Sequence, residues 1–202
     1  MKLVKPACII MLRAPRLGRV KTRLANTIGP DEALRVYRLL VERQVAQIPE
    51  NWRTVIQFTP ANAQGEMRKW LGAGPDYRCQ QGACLGERMV AAMLGVFADG
   101  NGSCILIGGD CPGLDRMMLE RAKNLLRDSD VVIGPAGDGG YTLLGLKKPR
   151  PNLLSGIAWG TPEVLGQTLA RITEAGLTVS KLPVLEDVDD IGSWERNRHL
   201  LD

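Results

Sequence analysis

The chain has 202 residues, of which 45% are hydrophobic and 24% charged, and carries a formal net charge of +4 with aromatics at 4%. That length suits one domain at roughly 100 to 200 residues each, and no apolar run approaches the ~20 residues of a membrane span. So small a net charge with so few stacking rings argues against a nucleic-acid polymer as partner, and a single histidine, His199, leaves Ser-His, Cys-His and His-ligated metal chemistry without parts.

In chain order, "MKLVKPACIIML" begins basic and then apolar, but its apolar part is short and no small-residue cleavage site follows. A cytoplasmic protein is expected. Cys8, Cys79, Cys84, Cys104 and Cys111 form no CxxC pair and read as free thiols of a reducing compartment. The segment "ACIIML" (7–12) predicts a strand, and residues 30–48 place apolar side chains at helical spacing with Pro30 in the first turn. Strands follow at "TVIQFT" (54–59), "CILIGG" (104–109) and "DVVIGPA" (130–136), with helices at 85–98 and 116–127 between them. "GDGG" (137–140) and "YTLLGL" (141–146) predict a turn and a reversed strand, and "TPEVLGQTLARITEAG" (161–176) a helix with a Thr cap, Pro at its first position and a closing Gly. This βαβ rhythm predicts an α/β fold, residues 1–202 forming a single domain around a mostly parallel sheet with helices on both faces.

The charge is unevenly spread. Residues 1–50 hold ten Lys/Arg against four Asp/Glu, whereas residues 186–202 hold six acids against two bases. Directly after the first strand, "RAPRLGRVKTR" packs Arg13, Arg16, Arg19, Lys21 and Arg23 into eleven positions without an acid. Such a run is either a solvated face or a phosphate site, and a loop between strand and helix favours phosphate. It is neither a Walker A loop, since Val20 precedes Lys21, nor a GxGxxG turn. Pro15 and Gly18 would bend the loop, while Lys21 and Arg23 supply mobile and forked cations.

"ILIGGDCPGL" (105–114) sets Asp110 just past a strand, where a carboxylate suits a magnesium ion, unless it only caps the next helix, for which Asp115 is better placed. "GPAGDGGY" (134–141) holds Asp138 among glycines that could admit a ligand or make a hairpin. In "EDVDDIGSW" (186–194), Asp190 is a plausible helix cap, and Asp187 or Asp189 is either a solvated acid or a second metal-facing carboxylate.

The blocks "APRLGRVKTRLA", "CLGERM", "GGDCPGL", "GPAGDGGYTLLGL", "WGTPEVL" and "EDVDD", in that order over nearly the whole chain, resemble the radical-SAM/selenodomain-associated transferase family 1. That is a bacterial group with a GT-A-like nucleotide-diphospho-sugar transferase fold, a three-layer α/β/α sandwich. More remotely, the landmarks are similar to those of phospholactate and molybdenum-cofactor guanylyltransferases. The resemblance implies that Gly18, Lys21 and Arg23 contact nucleotide phosphates, that Asp110 binds a divalent metal with Asp187 or Asp189 as further ligand, and that Asp138, Gly139, Gly140 and Tyr141 line the acceptor side. Cys84 stands where the family usually has an acid, and Asp190 where it usually has a threonine.

The function expected is a magnesium- or manganese-dependent transferase passing a group from a nucleotide-diphospho-sugar to a small-molecule acceptor. Lys21, Asp110 and Asp138 are its expected catalytic residues, and Pro15, Gly18, Lys21, Arg23, Gly139, Gly140 and Tyr141 its binding residues. Two alternatives stand beside it: a nucleotidyltransferase releasing pyrophosphate, and a nucleotide-binding regulatory protein without catalysis. Neither a membrane nor a nucleic-acid polymer is expected as partner, and base, sugar, acceptor and oligomeric state are not readable from these motifs.

Overall fold

A computed structural model describes residues 5–201. Residues 1–4, the basic start of the segment read for a leader, and Asp202, the last of the six C-terminal acids, lie outside them. The strands are β1 (Ala7–Arg13), β2 (Arg53–Thr59), β3 (Asp76–Cys79), β4 (Cys104–Ile107), β5 (Val131–Pro135), β6 (Tyr141–Leu146) and β7 (Val179–Lys181), joined into one sheet of order β3-β2-β1-β4-β6-β5-β7. All neighbours run parallel except at β6, which opposes both β4 and β5. The expected hairpin reversal is therefore present, confined to one strand.

The continuous apolar strand sequences follow from burial on both faces. Cys8, Ile10 and Leu12 of β1 pack with Ile56, Phe58, Ile105 and Ile107 on one face, and Ala7 and Ile9 with Val55, Leu106, Ile133 and Leu144 on the other. Successive side chains alternate between these layers, as strand geometry requires. The first face is covered by α2 (Pro30–Gln47), through Tyr37 and Val41, and by α5 (Arg116–Leu125), through Leu119 and Ala122. The second is covered by α4 (Leu85–Ala98), through Met89, Met93 and Val96, and by Ile172 of α6 (Val164–Glu174). These are the three layers of the expected sandwich.

Shorter helices complete the described residues: α1 (Thr22–Ile28), α3 (Gln64–Leu71) and α7 (Ile191–Asn197). A third apolar cluster, Leu24, Ala33, Val36, Leu40 and Val188, ties α1 and α2 to the C-terminal segment. The five cysteines are free, with Cys8, Cys104 and Cys111 buried, Cys79 half-buried and Cys84 exposed. Among the described residues no helix is long and apolar enough to cross a membrane.

Two of the boundary differences from the sequence reading bear on the site. β4 ends at Ile107, before the two glycines assigned to it. The helix expected from Thr161 begins at Val164 with Glu163 as its cap residue. Residues 161–163 form a turn instead, because Leu165 N donates to Gly139 O at 2.9 Å and docks this turn on the β5–β6 hairpin. Gly176, with φ +63°, closes the helix as expected.

Candidate functional site

After β1 the chain moves to β2 and β3 on one side and returns to β4 on the other. At such a reversal the loops leaving the carboxyl ends of adjacent strands diverge and leave a crevice. Here it is a cleft of about 940 Å³ between the loops that follow β1 and β4.

The loop after β1 forms the basic wall. Ala14 N donates to Thr59 O at 2.8 Å, and the buried Tyr37 hydroxyl donates to Arg13 O at 2.8 Å while accepting from Arg13 N at 3.1 Å. Gly18, at φ +68°, makes the turn that only an achiral residue adopts without strain. Pro15 and Gly18 shape this loop without lining the cleft; Arg13, Arg19, Lys21, Thr22 and Arg23 line it. Arg16 points elsewhere, its Nε donating to Glu66 Oε2 at 3.0 Å and its Nη2 to Asn62 Oδ1 at 3.2 Å. Among the described residues Arg13, Arg19 and Arg23 make no ion pair.

Lys21 is the one non-glycine residue at positive φ among those described, with φ 46° and ψ 46°. A side chain in this region is held by its surroundings at a cost of about 1–3 kcal/mol. Its Nζ donates to Asp110 Oδ2 at 2.7 Å and to Asp189 Oδ1 at 3.0 Å, and the side chain is only 5% exposed. Burial alone would lower its pKa, but the two carboxylates together outweigh burial and hold it above the ordinary lysine value. A mobile loop lysine, as the sequence suggests, is thus instead a recessed cation shared by two acids.

The opposite wall comes from three distant segments. Gly108 and Gly109 let the β4 loop close on β1: a Cβ on Gly109 would lie 2.5 Å from Leu12 Cδ2 and 2.8 Å from Val41 Cγ2, and one on Gly108 2.7 Å from Asp110 Oδ1. Asp110 is not the helix cap, since Asp115 accepts from Met118 N at 2.8 Å and caps α5. Instead Asp110 O accepts from Val188 N at 2.9 Å. That bond, with Leu182 N to Ile133 O at 2.8 Å and Leu185 N to Pro135 O at 3.0 Å, lays the segment after β7 along β5 and delivers Asp187 and Asp189 to the cleft.

The four acids of "EDVDD" thereby sort into two kinds. Glu186 accepts from Arg196 Nη2 at 2.5 Å and Asn197 Nδ2 at 2.7 Å, and Asp190 caps α7 in a reciprocal box with Ser193. Aspartate at 190 does the capping work of a threonine, so the departure there is conservative. Asp187 and Asp189 face the cleft. Burial, then the Asp110 charge, push the Asp187 carboxyl up to about 8, with Lys21 pulling the other way.

The GDGG segment is the hairpin turn and also a cleft element. Asp138 Oδ1 accepts from Gly140 N at 2.9 Å, and Gly139, at φ +88°, lies against Pro162, where a Cβ would collide. Asp138, Gly140 and Tyr141 line the cleft, whereas Gly139 does not. Tyr141 meets Trp159 edge-on at 6.3 Å, and burial raises its phenol pKa above the ordinary value.

Gln80, Arg88, Trp159 and Thr161 also line the cleft but were not singled out from the sequence as site residues. Arg88 and Trp159 lie inside two of the recognised blocks, "CLGERM" and "WGTPEVL", which was their available signal. Gln80 is found only from contacts: its Nε2 donates to Leu12 O at 3.1 Å and Gln57 O at 2.8 Å, which fixes the side chain over the ends of β1 and β2. Cys84 sits exposed on the rim as the residue before α4, where Glu87 Oε2 accepts from Ala83 N at 2.7 Å and secures the turn.

Among the described residues no three His, Cys, Asp or Glu side chains already stand in a metal-binding array. Asp110 and Asp189 are bridged by the Lys21 ammonium. The three carboxylates Asp110, Asp187 and Asp189 are nonetheless hard oxygen donors of the kind magnesium and manganese take.

The chain is similar to several solved structures. A protein from Desulfovibrio desulfuricans G20, provisionally named a nucleotide-diphospho-sugar transferase, is 30% identical over 98% of this chain and 97% of its own, with a TM-score of 0.90. Rv0371c of Mycobacterium tuberculosis H37Rv, solved with manganese, is 14% identical over 95% and 97% of the two chains, with a TM-score of 0.57. A CMP:2-keto-3-deoxy-manno-octonic acid synthetase solved with CTP is 15% identical over 98% of each chain, with a TM-score of 0.58. At such low identity the last two speak for the fold alone. No curated protein sequence matches. The model of the family described as "uncharacterized protein conserved in bacteria", DUF2064, matches residues 43–161, from within α2 to the turn before α6, and the chain belongs to that family.

Proposed function

We propose that this transferase uses a nucleotide-diphospho-sugar donor and a divalent metal to glycosylate a small hydroxylated acceptor, residues 1–202 acting as one unit in the cytoplasm. The observation that carries this reading is the cleft itself. Arginines that make no ion pair among the described residues form one wall and four carboxylates the other, around the carboxyl ends of β1 and β4. The likeness to the Desulfovibrio protein supports a sugar nucleotide.

The residues present fit a metal. Asp187 is recessed and its carboxyl is pushed up to about 8 by burial and by Asp110, so its ionised form calls for positive charge beyond what Lys21 provides. Asp110, Asp187 and Asp189 would hold magnesium or manganese, which when bound supplies charge neutralisation to the donor diphosphate. Arg19 and Arg23 bind its phosphate oxygens through charge-assisted hydrogen bonds, and Arg13 adds positive potential. Asp138, steadied by Gly140 N, accepts the acceptor hydroxyl's hydrogen bond, and Tyr141 with Trp159 forms the apolar flank against which the acceptor lies. Catalysis is then positioning and electrostatic stabilisation: the acceptor oxygen bonds the anomeric carbon as the bond to the diphosphate breaks, and the hydroxyl proton passes to Asp138.

A nucleotidyltransferase is the second reading, favoured by the density of cations from 13 to 23, which suits a triphosphate. The test incubates the protein with magnesium or manganese, each donor type and a pool of small acceptors, and assays the two leaving groups separately. Acceptor-dependent nucleoside diphosphate release is expected. Pyrophosphate release without diphosphate would replace the first reading by the second.

A further inference from the structure

The proposed metal ligands are already in use. Asp110 Oδ2 and Asp189 Oδ1 each accept from one ammonium, Lys21 Nζ, at 2.7 and 3.0 Å, and this ammonium belongs to a side chain that is 5% exposed. A divalent ion bonded to those same oxygens at ~2.0–2.2 Å would stand within a few ångströms of Nζ, like charge against like charge in a recessed site. The two cations therefore compete for the same pair of oxygens.

We propose that Lys21 is an exchangeable internal counter-ion: it holds Asp110 and Asp189 together until a divalent metal takes its place, and the displaced ammonium then turns into the cleft to meet the donor phosphates. This rests on the metal reading given above. The backbone allows it, because Lys21 O is retained by Ala25 N at 2.8 Å at the head of α1, so only the flexible four-carbon stem has to swing. The destination is lined by Arg19, Thr22 and Arg23, the residues assigned to the phosphates. The left-handed backbone at Lys21, which no glycine relieves, is what starts the side chain from a position reaching both acids. The exchange makes binding ordered. Without metal the phosphates lack one of their cations, and with it they gain one.

Two measurements on the full chain test this. The first is the accessibility of Lys21 to reductive methylation, read by peptide mass spectrometry with the other lysines as internal standards and without nucleotide. Lys21 should be protected in chelator and become reactive in step with Mn²⁺ occupancy. The second is Mn²⁺ affinity by electron paramagnetic resonance, where Lys21→Met should bind about tenfold more tightly than the parent, the effect of removing one like charge at close range. If Mn²⁺ binds the parent while Lys21 stays protected, or if Lys21 already reacts in chelator, the exchange is wrong and the metal reading stands. If neither protein binds Mn²⁺, both fall. The methylation arm uses only the parent protein, so a Lys21→Met variant that fails to fold does not remove the test.

Discussion

The two walls of the cleft are built in opposite ways. The basic wall is one continuous stretch, Arg13 to Arg23, running from the end of β1 into α1 and held at its start by Tyr37 and Thr59. The acid wall draws Asp110 from the end of β4, Asp138 from the β5–β6 hairpin, and Asp187 and Asp189 from the segment after β7. A local wall tolerates the loss of one arginine, because Arg13, Arg19 and Arg23 are exposed and act additively. An assembled wall does not, because the ionisation of each carboxylate is set by its neighbours, as Asp110 raises that of Asp187.

That contrast is broken most directly at Asp110. Asp110→Asn should abolish metal dependence and lower turnover by about 100-fold or more, several kcal/mol of charge stabilisation being at stake; retained metal-dependent turnover would make Asp110 a turn residue only. On the basic side, Arg23→Ala should weaken nucleotide binding by about tenfold, the usual size of one charge-assisted hydrogen bond, with the melting temperature unmoved. Calorimetric titration with a nucleotide-sugar in magnesium checks it, and a loss as large as that of Asp110→Asn would erase the difference between the walls.

The third test concerns stability. Folding raises the Asp187 carboxyl from 3.8 to about 8, so between these values the folded chain holds a proton that the unfolded chain has lost, and stability falls as pH rises across that window. In chelator, Asp187→Asn should therefore melt higher than the parent at pH 8.5 by about 1–3 kcal/mol, each worth ~2–4 °C for a chain of this size. The advantage should vanish near pH 4. A variant that melts lower at pH 8.5 would show that the carboxylate is welcome in the metal-free fold. The smallest effect is expected at Arg16→Ala, whose exposed pair with Glu66 is worth ~0–1 kcal/mol. Its nucleotide affinity should equal the parent's, and a loss matching Arg23→Ala would place the whole run, rather than its cleft-facing members, on the phosphates.

The same contrast explains what could be read from the sequence. Long periodic segments such as α2 and α4, and apolar strands buried on both faces, announce themselves, and so does a run of five cations after a strand. β3 and β7 did not, because edge strands of four and three residues carry no apolar run of their own. The acids were nameable singly, but which two of the four at 186–190 face the cleft depends on Val188 bonding back to Asp110 across the fold. Nor could spacing reveal that Lys21 is buried, since its partners lie 89 and 168 positions away. Thr161 was misread as a helix cap because its local pattern is a good one, and docking on Gly139 overrode it.

The backbone bond from Val188 to Asp110 also has a bearing on how the molecule is made. A nascent chain released only as far as Lys181 contains all seven strands and the whole basic loop, yet has just Asp110 and Asp138 of its acid wall. In that interval Lys21 has one of its two anchors, and on the reading proposed above a metal would have one of its three ligands. If the metal reading holds, synthesis from the amino end postpones metal capture until the segment after β7 is laid down.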